Sequence, residues 1–136
     1  MTTQPTQTTQ TTPTTQTAPA VLLVGFDPYR VPVPDPDAVA AALDRGRSRF
    51  AELEMTVEDC LIGLDDRIEA DVVSALTRRS WDCVVIGGGI RKPPQALELF
   101  EQVVNLAHRH APQAQIAFNT SPEDSAAAAA RRLATA

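Results

Sequence analysis

Four short apolar runs, each followed by a stretch with helical periodicity, restrict what this chain can fold into more than any other feature. VLLVGF (Val21 to Phe26), the Cys60 to Leu64 part of TVEDCLIGL, WDCVVI (Trp81 to Ile86) and QIAFN (Gln115 to Asn119) are nearly continuous in apolar character. A strand with one wet face alternates polar and apolar residues, whereas a strand covered on both faces does not. The four runs therefore read as buried strands. Between them, Val39, Leu43, Gly46, Phe50 and Leu53 recur at spacings of four and three; Ile68, Val72, Ala75 and Leu76 do so in the second gap, and Leu97, Phe100, Val103, Val104 and Ala107 in the third. Each set draws one apolar stripe on a helix. Alternation of this kind predicts an α/β three-layer sandwich: a four-stranded parallel sheet, order 2-1-3-4, with helices on both faces.

The helix starts carry their own marks. Asp35, Pro36 and Asp37 offer a side-chain acceptor, a proline suited to the first helical position and an acid near the positive end of the dipole. Asp66 and Glu69 have capping-box spacing. Pro93 or Pro94 opens the third helix, which Pro112 stops. Ser121, Pro122, Glu123 and Asp124 open a fourth, Ala-rich helix to about Leu133, expected to depend on alanine's propensity more than on burial.

A length of 136 residues suits one domain, placed at 21–136. The preceding segment, MTTQPTQTTQTTPTTQTAPA, has no charge and almost no apolar side chain, so residues 1–20 are expected to be a disordered, solubilising Thr/Gln/Pro-rich tail; a glycosylated stalk is the other reading. There is no secretory signal pattern and no apolar run near the roughly 18 residues that span a bilayer, which predicts a soluble, cytoplasmic protein with no membrane partner. Net charge is −5, with cations scattered among carboxylates, so nucleic acid is not an expected partner. Cys60 and Cys83 lie within apolar runs without metal-ligand spacing and read as small buried hydrophobes. No metal is expected, and the sequence requires no cofactor.

In open parallel sheets ligands bind beyond the carboxyl ends of the strands, where strand order reverses. That places a candidate site between strands one and three, at Gly25, Phe26, Asp27 and Pro28, at Gly87, Gly88, Gly89, Ile90, Arg91 and Lys92, and at Asn119, Thr120 and Ser121. Lys92 is the only lysine in the chain. Beside Arg91, after three glycines, it points to a small anion such as a phosphate or carboxylate. The other reading is that the glycines end a crowded strand and the cations are solvated. The loop fits neither GxGxxG, because Lys92 stands where the last glycine would be, nor a Walker A loop. Asp27 is a weak candidate base or metal ligand and also a typical turn former. His108 and His110 fall at the opposite end of the sheet, where the negative end of a helix accounts for them. No Ser/His/Asp set, Cys/His pair or metal cluster converges on the rim.

The segment WDCVVIGGGIRKPPQALELFEQVVNLAHRHAPQAQIAFNT resembles the middle of a bacterial response-regulator receiver domain. It shares an aromatic residue and Asp before an apolar strand, a proline-containing loop, an amphipathic helix, and a strand ending in Thr. The resemblance implies a receiver-like, flavodoxin-like or Rossmann-like fold. It does not imply phosphotransfer: the phosphoacceptor position falls on Gly87, and the acidic pair falls on Gly25 and Phe26, next to Asp27. Thr120 matches the family's hydroxyl residue, while the fifth strand with its lysine and the fifth helix are missing. VLLVGFDPY is similar to the opening of pyroglutamyl peptidases, whose Glu, Cys and His set does not follow here.

These readings lead to one expectation and one alternative. The first is a non-catalytic or regulatory domain binding a partner protein or a small anionic ligand at the carboxyl ends of its strands. The alternative is a small enzyme acting on a phosphorylated or carboxylated metabolite, with Arg91 and Lys92 holding the anion and Asp27 as base. A flavin or dinucleotide carrier is suggested by fold analogy alone. The short fourth strand, if at an edge, leaves backbone groups unpaired, and a homo-oligomer through that edge or a neighbouring helix is expected.

Overall fold

A computed structural model describes residues 18–135. Strands β1 (Ala20–Phe26), β2 (Thr56–Ile62), β3 (Cys83–Ile86) and β4 (Gln115–Phe118) form one parallel sheet in the order β2-β1-β3-β4. The expected order 2-1-3-4 is the observed one. Val21 lies opposite both Val57 and Cys83, and Val84 lies opposite Ile116, which aligns the carboxyl ends of the four strands at one side of the sheet. Helices α1 (Pro36–Glu52), α2 (Ile68–Thr77), α3 (Gly88–Arg91), α4 (Leu97–His110) and α5 (Ser125–Leu133) connect or follow them, with 3-10 turns at Pro94–Ala96 and Pro122–Asp124.

β1 is central, and its side chains from Ala20 to Val24 are all buried. Leu22 and Val24 join Ile62, Val84 and Ile86 beneath α2 and α4, while Val21 and Leu23 join Cys83, Val85 and Ala117 beneath α1 and α5. The period of two in a strand sends neighbours to opposite faces, so helices on both sides are what a continuous apolar strand requires. Each valine, leucine or isoleucine among them contributes about 1.5–3 kcal/mol on leaving water.

The tail reading for residues 1–20 falls on residues outside those described, apart from its last three. Of these, Ala20 begins β1: its N–H donates to the Asp82 carboxylate at 2.8 Å, and the Pro19 carbonyl accepts from Thr56 N–H at 2.9 Å. β3 starts at Cys83 and not at Trp81. Trp81 is nonetheless buried, and its indole N–H donates to the Ala75 carbonyl at 2.9 Å, which gives its polar atom a partner inside the core.

Several expected inward positions are corrected. Leu53 follows α1 at its C-cap, Leu64 lies beyond the end of β2, and Leu97 opens α4 after a 3-10 turn that rotates the stripe; all three are exposed. Leu106 takes a core position beside Val103 and Ala107 instead. The Asp66/Glu69 capping box does not form, because α2 begins at Ile68 and the Arg67 N–H is held by Asp65 at 3.0 Å. By contrast, Asp35 accepts from Ala38 N–H at 3.1 Å ahead of Pro36, as its pattern indicates. The largest correction concerns α5: Ser125, Ala126, Ala128 and Ala129 are buried against the sheet, so its small residues serve close packing as well as propensity.

One contact sets the position of the loop after β4. Gly46, midway along α1, faces the Pro122 carbonyl so closely that a Cβ would lie 2.1 Å from its oxygen. Arg45 binds Glu123 beside it at 2.8 Å. The turn at Pro122–Asp124 is thereby held against α1.

Candidate functional site

The carboxyl ends of β1, β3 and β4 open into a cavity of about 550 Å³, within the range of small-molecule sites. Its base is formed by Leu23, Gly25 and Phe26 from β1. One wall comes from the loop after β1, with Pro28, Val31 and Val33, and from the α1 positions Ala38, Val39, Ala42 and Leu43. The facing wall is Gly87, Gly88, Gly89, Lys92 and Pro93, closed by Asn119, Thr120, Ser121 and Pro122. No acid, histidine or cysteine is among these residues, and Lys92 carries their only full charge.

The structure brings together ten of the thirteen residues named from sequence and sets Asp27, Ile90 and Arg91 apart from the lining. Asp27 turns its carboxylate to the Tyr29 N–H at 2.9 Å and borders a separate shallow depression with Tyr29 and Arg47. This is the local hydrogen bond of a turn, with Pro28 facing the cavity in its place. Arg91 donates to the Asn119 carbonyl at 2.8 Å and lies 5.7 Å from the centre of the Phe118 ring. Its guanidinium braces the end of β4.

Lys92 reaches across the mouth. Its Nζ donates to the Thr120 carbonyl at 2.6 Å, which links the loop after β3 to the loop after β4. An ammonium has three donors, so two remain. The lysine stem lies over Gly88, where a Cβ would come within 3.1 Å of Lys92 Cε. None of the glycines has a positive φ. Space, and not a left-handed backbone, is what the GGG turn supplies: Gly87 packs on the Val24 carbonyl, Gly88 admits the lysine, and Gly89 stands beside Phe26.

The other polar groups at this end are largely engaged. Gly88 N–H donates to Asn119 Oδ1 at 2.7 Å, Asn119 Nδ2 to Ser125 Oγ at 2.8 Å, and Ser125 Oγ to the Pro122 carbonyl at 2.9 Å. This buried chain fixes Asn119 below the rim. Asp124 accepts from the N–H groups of Thr120 at 3.0 Å and Ser121 at 3.3 Å, and from the Thr120 hydroxyl. Partial burial works against its ionisation, but these donated bonds outweigh that and hold the carboxyl below the ordinary aspartate value.

The apolar wall went unrecognised in the sequence. Val39 and Leu43 have the periodicity of core positions, which does not tell a core from a cavity lining. Val31 and Val33, apolar residues in a proline-rich loop, were the available signal. The free cysteines Cys60 and Cys83 are buried away from this site, and desolvation pushes each thiol up to about 11. Neither is a thiolate nucleophile near neutral pH. Among the described residues no group of three or more His, Cys, Asp or Glu side chains is placed to hold a metal ion, and no helix is long and apolar enough to cross a membrane.

No family model matches the chain, and no curated protein matches it. Fold and cavity together define its class: a small α/β domain with a four-stranded parallel sheet, compatible with a flavodoxin-like fold, and a ligand-sized cavity at the carboxyl ends of its strands.

Proposed function

We propose that this is a non-catalytic or regulatory binding domain that takes a small anionic ligand into the cavity between α1 and the loops after β3 and β4. The observation that carries the reading is Lys92: the only charged side chain of an otherwise uncharged lining, with two donors to spare at the mouth. Binding is favoured over chemistry because Asp27, the acid proposed as base, turns its carboxylate to the Tyr29 N–H, and Arg91 stands outside the cavity lining with one N–H on the Asn119 carbonyl. The receiver likeness belongs to the same proposal. Gly87 at the end of β3 makes the pocket a place to bind and not to be phosphorylated, while Thr120 supplies a carbonyl for Lys92.

A cytoplasmic setting is part of this reading and is supported by two free, buried thiols. So is self-association through the edge strand β4, where Phe118 is exposed beside Phe100 and where Leu97 on the neighbouring α4 is also exposed. A thermal-shift screen with nucleotides, sugar phosphates and carboxylic acids tests the binding reading. A true ligand at one hundred times its Kd stabilises the fold by about 2.7 kcal/mol, and Lys92→Met reduces that response. No stabilisation by any anion overturns it.

A further inference from the structure

Resting on that binding reading, we infer that the ligand is a monocarboxylate with an apolar body, its carboxylate on Lys92 Nζ at the mouth and its body against Val31, Val33, Val39 and Leu43. The charge of the cavity selects the head group. A phosphate carries between one and two negative charges with three acceptor oxygens, and sites for it gather several cations or a nest of free backbone N–H groups. Here one ammonium is present, and most backbone donors around it are spent: Gly87 N–H on the Val24 carbonyl, Gly88 N–H on Asn119, and Thr120 and Ser121 N–H on Asp124, which leaves the N–H of Gly89. Asp124 adds a negative charge directly behind Thr120. What remains is two N–H donors on Lys92, with the single Gly89 N–H and the Ser121 hydroxyl beside them: one positive charge and a few donors, which suit the single charge and two oxygens of a carboxylate.

The walls select the body. From Lys92 inward to β1 the lining is aliphatic and proline-rich, and no donor or acceptor side chain stands on α1 facing it. A sugar or nucleotide would leave hydroxyls or ring nitrogens without partners there, at the cost of their hydration. An alkyl or aryl group loses only apolar contact with water. Because Lys92 is exposed, its ion pair with the ligand contributes modestly and serves to orient it, while burial of the body supplies most of the affinity.

Calorimetric titration of the full chain with decanoate, 1-decanol and decyl phosphate separates the possibilities. Decanoate is expected to bind most tightly. Lys92→Met is expected to weaken decanoate roughly fivefold and leave decanol unchanged, and Lys92→Arg to retain decanoate binding. Val33→Asp, in a loop outside the sheet, weakens both by adding charge to the apolar wall. If decyl phosphate binds more tightly than decanoate, or decanol equals decanoate, the assigned class is wrong and the binding cavity stands. If neutral and anionic probes all fail to bind, the binding reading falls, and the class with it.

Discussion

Gly46 on α1 and Pro122 in the turn before α5 approach so closely that a methyl group on the glycine would sit 2.1 Å from the proline's carbonyl oxygen. The neighbour is backbone, so it cannot swing aside as a side chain would. Alanine in a helix is favoured over glycine by about 1 kcal/mol, but here the contact has to be relieved by moving the turn that carries Ser121 and Pro122, both part of the cavity. Gly46→Ala is expected to destabilise the fold by roughly 1–3 kcal/mol in urea denaturation. A midpoint equal to or above the parent's would show that the close approach is not real.

Glu54, just past α1, has a φ of 60° and is the only described non-glycine residue in the left-handed region. A side chain there is strained, and glycine is not. Its N–H donates to the Ala51 carbonyl at 3.1 Å, a bond that glycine keeps. Glu54→Gly is expected to raise stability by about 0.5 kcal/mol, the relief of strain outweighing the entropy that glycine loses on folding. Thermal melting checks it, and a lowered Tm would count against the strained turn.

Two aspartates are expected to move stability in opposite directions. The Asp124 carboxyl is held below its usual value of 3.8, partial burial being outweighed by bonds from Thr120 and Ser121. Its contribution is therefore fully present above the unfolded value and is lost as pH falls through the lower folded one. Asp124→Asn should reduce stability at pH 7 and flatten the loss below about pH 4. Asp59 on β2 is the reverse case: burial raises its carboxyl, with Arg47 opposing, and Oδ1 has no partner. Stability from that position is present below the unfolded value and lost as pH rises through the raised one. Asp59→Asn is thus expected to stabilise at neutral pH, since Arg47 keeps its pairing with Asp44. Urea midpoints at pH 3 and pH 7 for both variants test the pair, and a shift of the same sign for both at pH 7 would refute it.

Phe118 provides a test of the β4 edge. Sedimentation of the parent protein over a wide concentration range is expected to show a dimer that Phe118→Glu disperses, because a charge on an edge strand opposes pairing. Monomer throughout would show that the β4 edge does not mediate self-association.

Much of this architecture could be read from the order of residues, because buried strands leave a signature that needs no tertiary knowledge. Val21 to Phe26 and Cys83 to Ile86 have no polar side chain to place in water, so they had to be covered on both faces; right-handed connections alone do not single out the order 2-1-3-4. The loops at the carboxyl ends were legible for the same reason. Individual directions were not. Arg91 and Lys92 are adjacent, yet the short helical turn sends one to the Asn119 carbonyl and the other to the mouth. Val39 and Leu43 satisfy the helical stripe equally well against a core or an open cavity. The alanines of α5 gave no sign of burial, because a small side chain buries little area even in full contact.

Heteronuclear NMR of the labelled protein during a titration with decanoate reports both where a ligand sits and what holds it. Saturable shifts are expected in the amides of Val33, Gly88, Gly89 and Lys92, with markedly weaker saturation in Lys92→Met. Shifts that are absent, that map to other faces of the sheet, or that persist unchanged without the lysine would contradict carboxylate binding at Lys92.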